Sequence, residues 1–387
     1  MIVKNGVQVF FDEGYVEELR GKRVGVVTNH SAQYPGKGHL VDLLVKSGVD
    51  VRVIFTPEHG LTGDRPAGEH YPNGAYGGIP VYSLYGPRYK PPVDVIKGLD
   101  AVIYSIQDVG VRFYTYISTL FYTLESSGKA GVKVMVLDNP NPLTGLIVEG
   151  PILDPGLRSF IGIWSIPIRY GLTAGELANL FNDEANLKAD LTVVGLRGWV
   201  RGMWFDETGL PWPRPSPAMV SLESAIMYPG IGLFEGTNVN EGRGTDKPFR
   251  VIGAPWLDNV RLIDEASTLG LNGLELRPVV YRPVGNGVKY SGEDCRGVEF
   301  VIKSRVDLRP VKVALALINI INRIHPGRFS FIERNGSYHF DYLVGRGNVR
   351  GLLMGGDIDE VMRIVDEGIE DYLRRVKRYM MYGDNNG

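Results

Sequence analysis

The chain has 387 residues, 44% apolar and 22% charged, the balance of an ordinary globular protein and not of a disordered or low-complexity one. Its 42 Lys plus Arg against 44 Asp plus Glu give a net charge of -2, which supplies no electrostatic footprint for nucleic acid or an anionic membrane surface. The single cysteine, Cys295, excludes an intramolecular disulfide and a cysteine-rich zinc site.

A chain of this length exceeds what one hydrophobic core usually serves, so two domains are expected, residues 1–255 and 256–387, with the active cleft between them. No stretch reaches the roughly 18 apolar residues that a membrane span needs. The N-terminus has neither an unbroken apolar region nor a small-residue cleavage site, so a cytoplasmic protein is expected.

In chain order, Arg23 to Thr28 (RVGVVT) is a β-branched run ending in polar Asn29-His30-Ser31, which predicts a buried parallel strand. A helix is expected from about Lys37 to Ser47, then a strand from Val51 to Phe55 that runs into Thr56-Pro57-Glu58-His59-Gly60. Ligands of open α/β sheets lie beyond the carboxyl ends of the strands, which makes Glu58 and His59 site candidates. Leu61 to Pro92 is rich in Gly, Pro and Tyr and lacks periodicity. It predicts a long excursion over the cleft, whose Tyr71, Tyr76, Tyr82, Tyr85 and Tyr89 could stack on a sugar or heteroaromatic ring or serve surface packing. Strands from Asp100 to Ile106 and Val132 to Leu137, with a helix from Tyr114 to Ser127 between them, end at Gln107-Asp108 and Asp138-Asn139. Each acid alone is explained by capping the next turn; Glu58, Asp108 and Asp138 at three strand tips together favour a shared site.

This repetition of strand, polar tip and helix predicts an α/β fold with a doubly wound, mainly parallel sheet. Thr173 and Glu176 have capping-box spacing, which places Glu176 on a helix N-terminus and outside the site. Residues 198–217, with three tryptophans and four prolines, suit a rigid cleft wall or interdomain packing. The segment Gly230 to Trp256 (GIGLFEGTNVNEGRGTDKPFRVIGAPW) crowds glycines, amides, acids and arginines into one irregular stretch, which predicts a polar cleft wall bent around a ligand. Beyond it, a helix from Leu257 to Leu269, strands at Leu274 to Pro283 and Gly297 to Ile302, an apolar helix from Val311 to Ile324 and a final helix from Asp357 to about Tyr379 predict a second, smaller C-terminal α/β domain.

No Walker loop, HExxH or nucleophile elbow occurs. Gly230-Ile231-Gly232 opens like a dinucleotide fingerprint, but Glu235 stands where its third glycine belongs. No cofactor is expected. His30, His39, His59 and His70 lie near Glu58, Asp64 and Glu69, without the ligand spacing of a known metal site, so no metal ligand is assigned.

The motifs TPEHG at 56–60, IQDVGVRFYTYISTL at 106–120, NPLTG at 141–145, VEGPILD at 148–154, IPIRYGLTAGELANLFN at 166–182 and FEGTNVNEGRGTDKPF at 234–249 resemble those of the exo-acting β-N-acetylmuramidases, a family long catalogued as a domain of unknown function. The resemblance runs from about Val24 to the C-terminus. It implies a Rossmann-like α/β domain plus a smaller C-terminal domain, and removal of N-acetylmuramic acid from the non-reducing end of peptidoglycan fragments without metal or organic cofactor. Its acidic candidates fall on Glu58, Asp108 and Glu241. Asn139 stands where arginine is usual, Tyr170 where histidine is usual, and Ala218 where asparagine is usual.

Glycoside hydrolysis needs an acid for the leaving oxygen and a second group that supports the oxocarbenium-like transition state or activates water. Glu58 is the expected acid and Asp108 its ionised partner, acting as a base or orienting a substrate acetamido group that attacks the anomeric carbon. Arg243, with Arg112 and Arg169 in reserve, is expected to pair with the lactyl carboxylate, since a planar guanidinium matches it bidentately. Arg112 has an interdomain ion pair as its alternative. Asn238 and Asn240 are expected to bind acetamido or hydroxyl groups, and His59, Tyr114 and Asp138 to line the substrate. The partner class is an amino-sugar glycoside or muropeptide. The rival readings are a non-catalytic sugar-binding protein and a metal-dependent hydrolase using the early histidines.

Overall fold

A computed structural model describes residues 2–66, 68–69 and 72–384; His70 and Tyr71, named above, lie outside the described residues. Strands β1 (Arg23–Thr28), β2 (Asp50–Thr56), β3 (Gly74–Tyr76), β4 (Ile79–Ser83), β5 (Ala101–Ser105), β6 (Lys133–Leu137) and β7 (Leu191–Val194) form a seven-stranded sheet in the order β3-β4-β2-β1-β5-β6-β7. All neighbours run parallel except the edge pair β3 and β4. Every residue of β5 and all of β1 after Arg23 are buried, as expected of β-branched runs covered on both faces. The doubly wound sheet expected from the sequence is the one observed.

The strand order reverses between β1 and β5, where such sheets open a crevice at their carboxyl ends. Here the chain itself occupies that crevice. The Tyr116 hydroxyl donates to the Pro215 carbonyl at 2.7 Å, and His30 Nε2 donates to the Arg214 carbonyl at 3.0 Å. The Gln107 N–H donates to Ser31 Oγ at 2.9 Å and ties the β1 and β5 tips together. The proline-rich segment is therefore a plug over the switch point, and the tip of β2, with Glu58, is the one left half-buried.

Helix α1 (Leu40–Lys46) is capped by His39, whose Nδ1 accepts the Val41 N–H while Nε2 donates to the Asn29 carbonyl. Both nitrogens of that ring are thus committed to backbone. Helix α2 (Tyr116–Ala130) follows β5, and α3 (Ala174–Glu184) opens with the expected Thr173–Glu176 capping box. Helix α4 (Leu222–Ile231) runs into the glycine-rich segment, so Gly230 is helical. A second sheet, β8 (Val251–Ala254), β9 (Leu274–Tyr281) and β10 (Cys295–Ile302), is antiparallel in the order β8-β10-β9. Because β8 pairs with β10, this sheet begins inside the segment expected to close the first domain. Helix α5 (Pro310–Ile324) is buried along most of its length and packs on α4. The single final helix expected from the sequence is two, α6 (Ile358–Asp366) and α7 (Ile369–Val376), separated by Gly368 at φ 75°.

One continuous apolar cluster runs from Val27 to Tyr379 through both sheets, and a second covers the other face of the large sheet. The glycines at 230 and 236 serve this packing. A Cβ on Gly230 would lie 1.8 Å from the Pro310 carbonyl oxygen, and one on Gly236 2.6 Å from Phe340 Cα. They permit close approach of the two halves and do not bend backbone around a ligand. Among the described residues no helix is long and apolar enough to cross a membrane.

Candidate active site

The buried β2 strand ends at Thr56, and the chain turns through Pro57 to present Glu58 at the surface. Glu58 Oε2 accepts the Thr115 hydroxyl at 2.9 Å and Oε1 accepts the Gly68 N–H at 2.9 Å. The Tyr85 hydroxyl also bonds to this carboxylate, and burial followed by the Glu58 charge pushes the Tyr85 phenol up. Thr115 immediately precedes α2, and its hydroxyl caps no helix N–H but orients the acid. A backbone N–H can only donate, whereas a hydroxyl can donate or accept.

The next residue, His59, sits at φ 73° and is buried. Its Nδ1 donates to the Arg65 carbonyl at 2.7 Å, which leaves a lone pair on Nε2. Burial lowers its pKa, with Arg243 pushing the same way and Glu58 opposing, so the ring is neutral at pH 7. The charges of Glu58 and Arg243, which belong to opposite halves, thus meet at one imidazole.

Across from Glu58, Arg243 forms ion pairs with Glu235 at 3.0 Å and Glu241 at 3.4 Å, and its guanidinium stands 5.0 Å above the Phe249 ring. Its side chain keeps 26% exposure. Glu241 is nearly fully buried and bonds Lys289 Nζ at 2.8 Å. Burial raises its pKa, but the Lys289 and Arg243 charges outweigh burial and hold it ionised below the usual carboxylate range. Lys289 also donates to the Phe234 and Val239 carbonyls, drawing the whole segment around one ammonium. Sequence reasoning missed Lys289, Thr115 and the pairing of Glu235, because each meets its partner through the fold and not through local spacing.

Asp108 is buried behind this surface. Its Oδ2 accepts the Gly110 N–H at 2.7 Å and the Tyr170 hydroxyl, while Oδ1 has no hydrogen-bond partner among the described residues. Burial pushes its carboxyl up to about 6, against the stabilising Tyr170 and Gly110 donors. Tyr114 packs edge-on against Tyr116 and Tyr228, in the field of both Asp108 and Glu58.

Five other expected substrate contacts are engaged elsewhere. Asp138 is fully buried, accepting the Gly175 N–H and the Thr173 and Tyr382 hydroxyls, so it fastens α3 and the C-terminal segment to the sheet. Arg112 is fully buried and donates to the Pro151, Ile166 and Leu343 carbonyls, so it joins distant parts of the chain through carbonyls and not through an ion pair. Arg169 is buried, donates to the Leu143 carbonyl and lies against Trp204. Asn240 accepts the Gly242 N–H and Tyr281 hydroxyl and donates to the Lys289 and Arg243 carbonyls, which uses its amide completely. Asn238 links to the Arg328 carbonyl and the Ser330 N–H. A crowd of polar side chains in irregular backbone reads as a ligand wall in sequence, yet such backbone needs the same groups to satisfy itself.

No three His, Cys, Asp or Glu side chains among the described residues are grouped as metal ligands. Depressions of about 530 Å³ beside Asn179, Asp183 and Arg378, and of about 500 Å³ beside Arg23, Arg52 and Tyr82, share no lining residue with the Glu58 region.

These features define an α/β protein with a seven-stranded and a three-stranded main sheet, an acid at a strand tip and an arginine-carboxylate cluster whose charges meet at the neighbouring His59. Residues 24–223 match the family model for the N-terminal part of exo-β-N-acetylmuramidase NamZ, and 226–382 that for its C-terminal part. The chain belongs to this family. It is 39% identical to the peptidoglycan β-N-acetylmuramidase NamZ of Bacillus subtilis over 98% of this chain and 91% of that protein. Two crystal structures of DUF1343-family proteins from Bacteroides fragilis share the fold. One has a TM-score of 0.89 at 30% identity, covering 98% of this chain and 99% of that one; the other has 0.76 at 29% identity, with full coverage of both.

Proposed function

We propose that this protein is a glycoside hydrolase that removes a terminal, non-reducing β-linked N-acetylmuramic acid from peptidoglycan-type fragments. The observation that carries the reading is the placement of Glu58, a half-buried carboxylate at the carboxyl end of β2, oriented by Thr115 and Gly68, in a chain closely similar along its length to a peptidoglycan β-N-acetylmuramidase.

Glu58 delivers its proton to the glycosidic oxygen as the bond to the anomeric carbon breaks. Asp108 is the second carboxylate. Its Oδ1 has no hydrogen-bond partner among the described residues, and we assign to it a substrate acetamido N–H, which would turn the acetamido oxygen toward the anomeric carbon. Glu241, held ionised by Lys289 and Arg243, acts as a clamp that aims the guanidinium and not as a proton donor. Arg243 offers its remaining N–H groups to the lactyl carboxylate of the terminal sugar.

Glu58→Gln tests the assignment on chromogenic β-N-acetylmuraminide and β-N-acetylglucosaminide, with and without chelator. The wild type should prefer the muraminide in both conditions, and the variant should lose about two to four orders of magnitude in kcat with its Tm unchanged. Saturable binding without turnover by the wild type would make this a sugar-binding protein. Loss of activity on chelation, restored by a divalent ion, would make it a metal-dependent hydrolase.

A further inference from the structure

A general acid at a glycosidic oxygen has sugar on both sides of it, and the surroundings of Glu58 are unlike on two sides. One side is the charged wall of Arg243 and Glu235. The other is aromatic. Helix α2 fixes the second side relative to the acid: Thr115 at its start donates to Glu58 Oε2, and Ser118, one turn later, donates to the Phe160 carbonyl at 2.6 Å. Side chains three residues apart on a helix stand roughly 5–6 Å from one another. The Phe160 backbone is therefore held about one helical turn from the catalytic carboxylate. Tyr122, a further turn along α2, lies parallel under the Phe160 ring at 6.3 Å and 7°.

Two loop tyrosines complete the surface. Tyr89 lies 4.2 Å from Phe160 at 30°, and Tyr85 stands 6.0 Å from each of them with its hydroxyl on Glu58. Lys90 Nζ sits 4.5 Å from the Tyr122 ring centroid and pairs with Glu125, which braces the supporting ring. Neither Tyr89 nor Phe160 belongs to a buried core; Tyr89 is 38% exposed and Phe160 half-buried. Contiguous apolar faces left at the surface beside a catalytic group mark a contact area.

We propose that Tyr89 and Phe160, braced by Tyr85 and Tyr122, are the platform on which the leaving-group sugar stacks, a neutral β-linked hexosamine on the reducing-end side of the scissile bond. The proposal rests on the glycosidase reading above. Pyranose C–H groups carry partial positive charge and pack on the electron-rich face of an aromatic ring. The side of the site that holds ion pairs suits the carboxylate-bearing muramyl unit, and the uncharged rings suit its neighbour. Tyr85 touches both the platform and the acid, so seating of the leaving sugar is coupled to the position of the proton.

The test compares two substrates of the same glycone: the disaccharide N-acetylmuramyl-β-N-acetylglucosamine and the β-fluoride of N-acetylmuramic acid, whose leaving group has no face to stack. Tyr89→Leu should raise KM for the disaccharide roughly three- to tenfold, and Tyr89→Phe, which keeps the ring, should behave as wild type. Fluoride hydrolysis by Tyr89→Leu should stay within about twofold of wild type, which also shows that the variant is folded. Equal losses on both substrates would place the platform on the muramyl side, and an unchanged disaccharide KM would remove it. Wild-type protein that hydrolyses neither substrate would overturn the glycosidase reading and the platform with it.

Discussion

Thr115 and Gly68 grip the two oxygens of Glu58 from segments 57 and 10 residues away, and this fixes the orientation of the carboxyl group. The carboxylate itself was legible in sequence, because it follows a buried strand in an α/β pattern. Its orienting partners were not, since a threonine before a helix is ordinarily explained by capping. Thr115→Val keeps the side-chain shape and removes the hydroxyl. It should lower kcat about tenfold or more while KM and Tm hold, and Thr115→Ser should restore most of the rate. An unchanged kcat in Thr115→Val would show that the bond has no part in catalysis. The same contrast separates Glu241 from Glu58. Both lie in polar, glycine-bearing motifs, but Lys289, which keeps Glu241 ionised, is 48 residues away and gave no local sign of its role.

Among the elements, the glycine-rich segment after α4 is the one whose meaning changed most. Its composition suggested backbone wrapped around a ligand, yet Gly230 lies within the helix and faces the first turn of α5. A methyl group there meets the Pro310 carbonyl with no flexible side chain to yield. Gly230→Ala should therefore destabilise the fold by about 1–3 kcal/mol through overpacking, seen as a lower urea midpoint with an unchanged slope. Wild-type stability in that variant would mean the helices separate freely at this point. The strands β1, β2, β5 and β6 were read from sequence nearly to the residue, since buried parallel strands are short β-branched runs bounded by polar tips. The final helix was read too long, because the apolar stripe of α6 continues in phase into α7 and hides the break at Gly368.

At the scale of the whole molecule, the halves are joined by buried polar groups as well as by one apolar cluster. Glu149 exchanges backbone hydrogen bonds with Arg169 and accepts the Lys312 N–H at the start of α5, so it binds the large sheet's surroundings to the C-terminal half. Burial pushes its carboxyl up to about 7, opposed by the Lys312 N–H and the Arg169 charge. Burial likewise carries Asp108 and Asp138 up to about 6. Each group binds its proton more tightly folded than unfolded. Their shared effect is stability that is greatest in the ordinary carboxylate range, falls as pH rises through 6 and 7, and is level above. Glu149→Gln keeps the acceptor for Lys312 and removes the titration. Urea midpoints from pH 4.5, the ordinary value for glutamate, to pH 8 should then decline less steeply than in the wild type. Parallel curves for the two proteins would exclude Glu149 as a source of the decline.

The sequence by itself determined the doubly wound sheet, the positions of Glu58 and Asp108 at strand tips, and the family, because buried strands, their polar ends and contiguous motifs are written in neighbouring residues. Only the tertiary structure decided which polar groups face the site. It turned Asp138, Arg112, Arg169 and Asn240 inward to satisfy buried backbone and closed the switch-point crevice with Arg214 and Pro215. It also brought Thr115, Lys289 and Phe160 to the candidate site from distant segments. A charged or amide side chain has the same spelling whether it meets a substrate or a carbonyl of its own chain, and the choice is made by burial and by partners that only folding supplies.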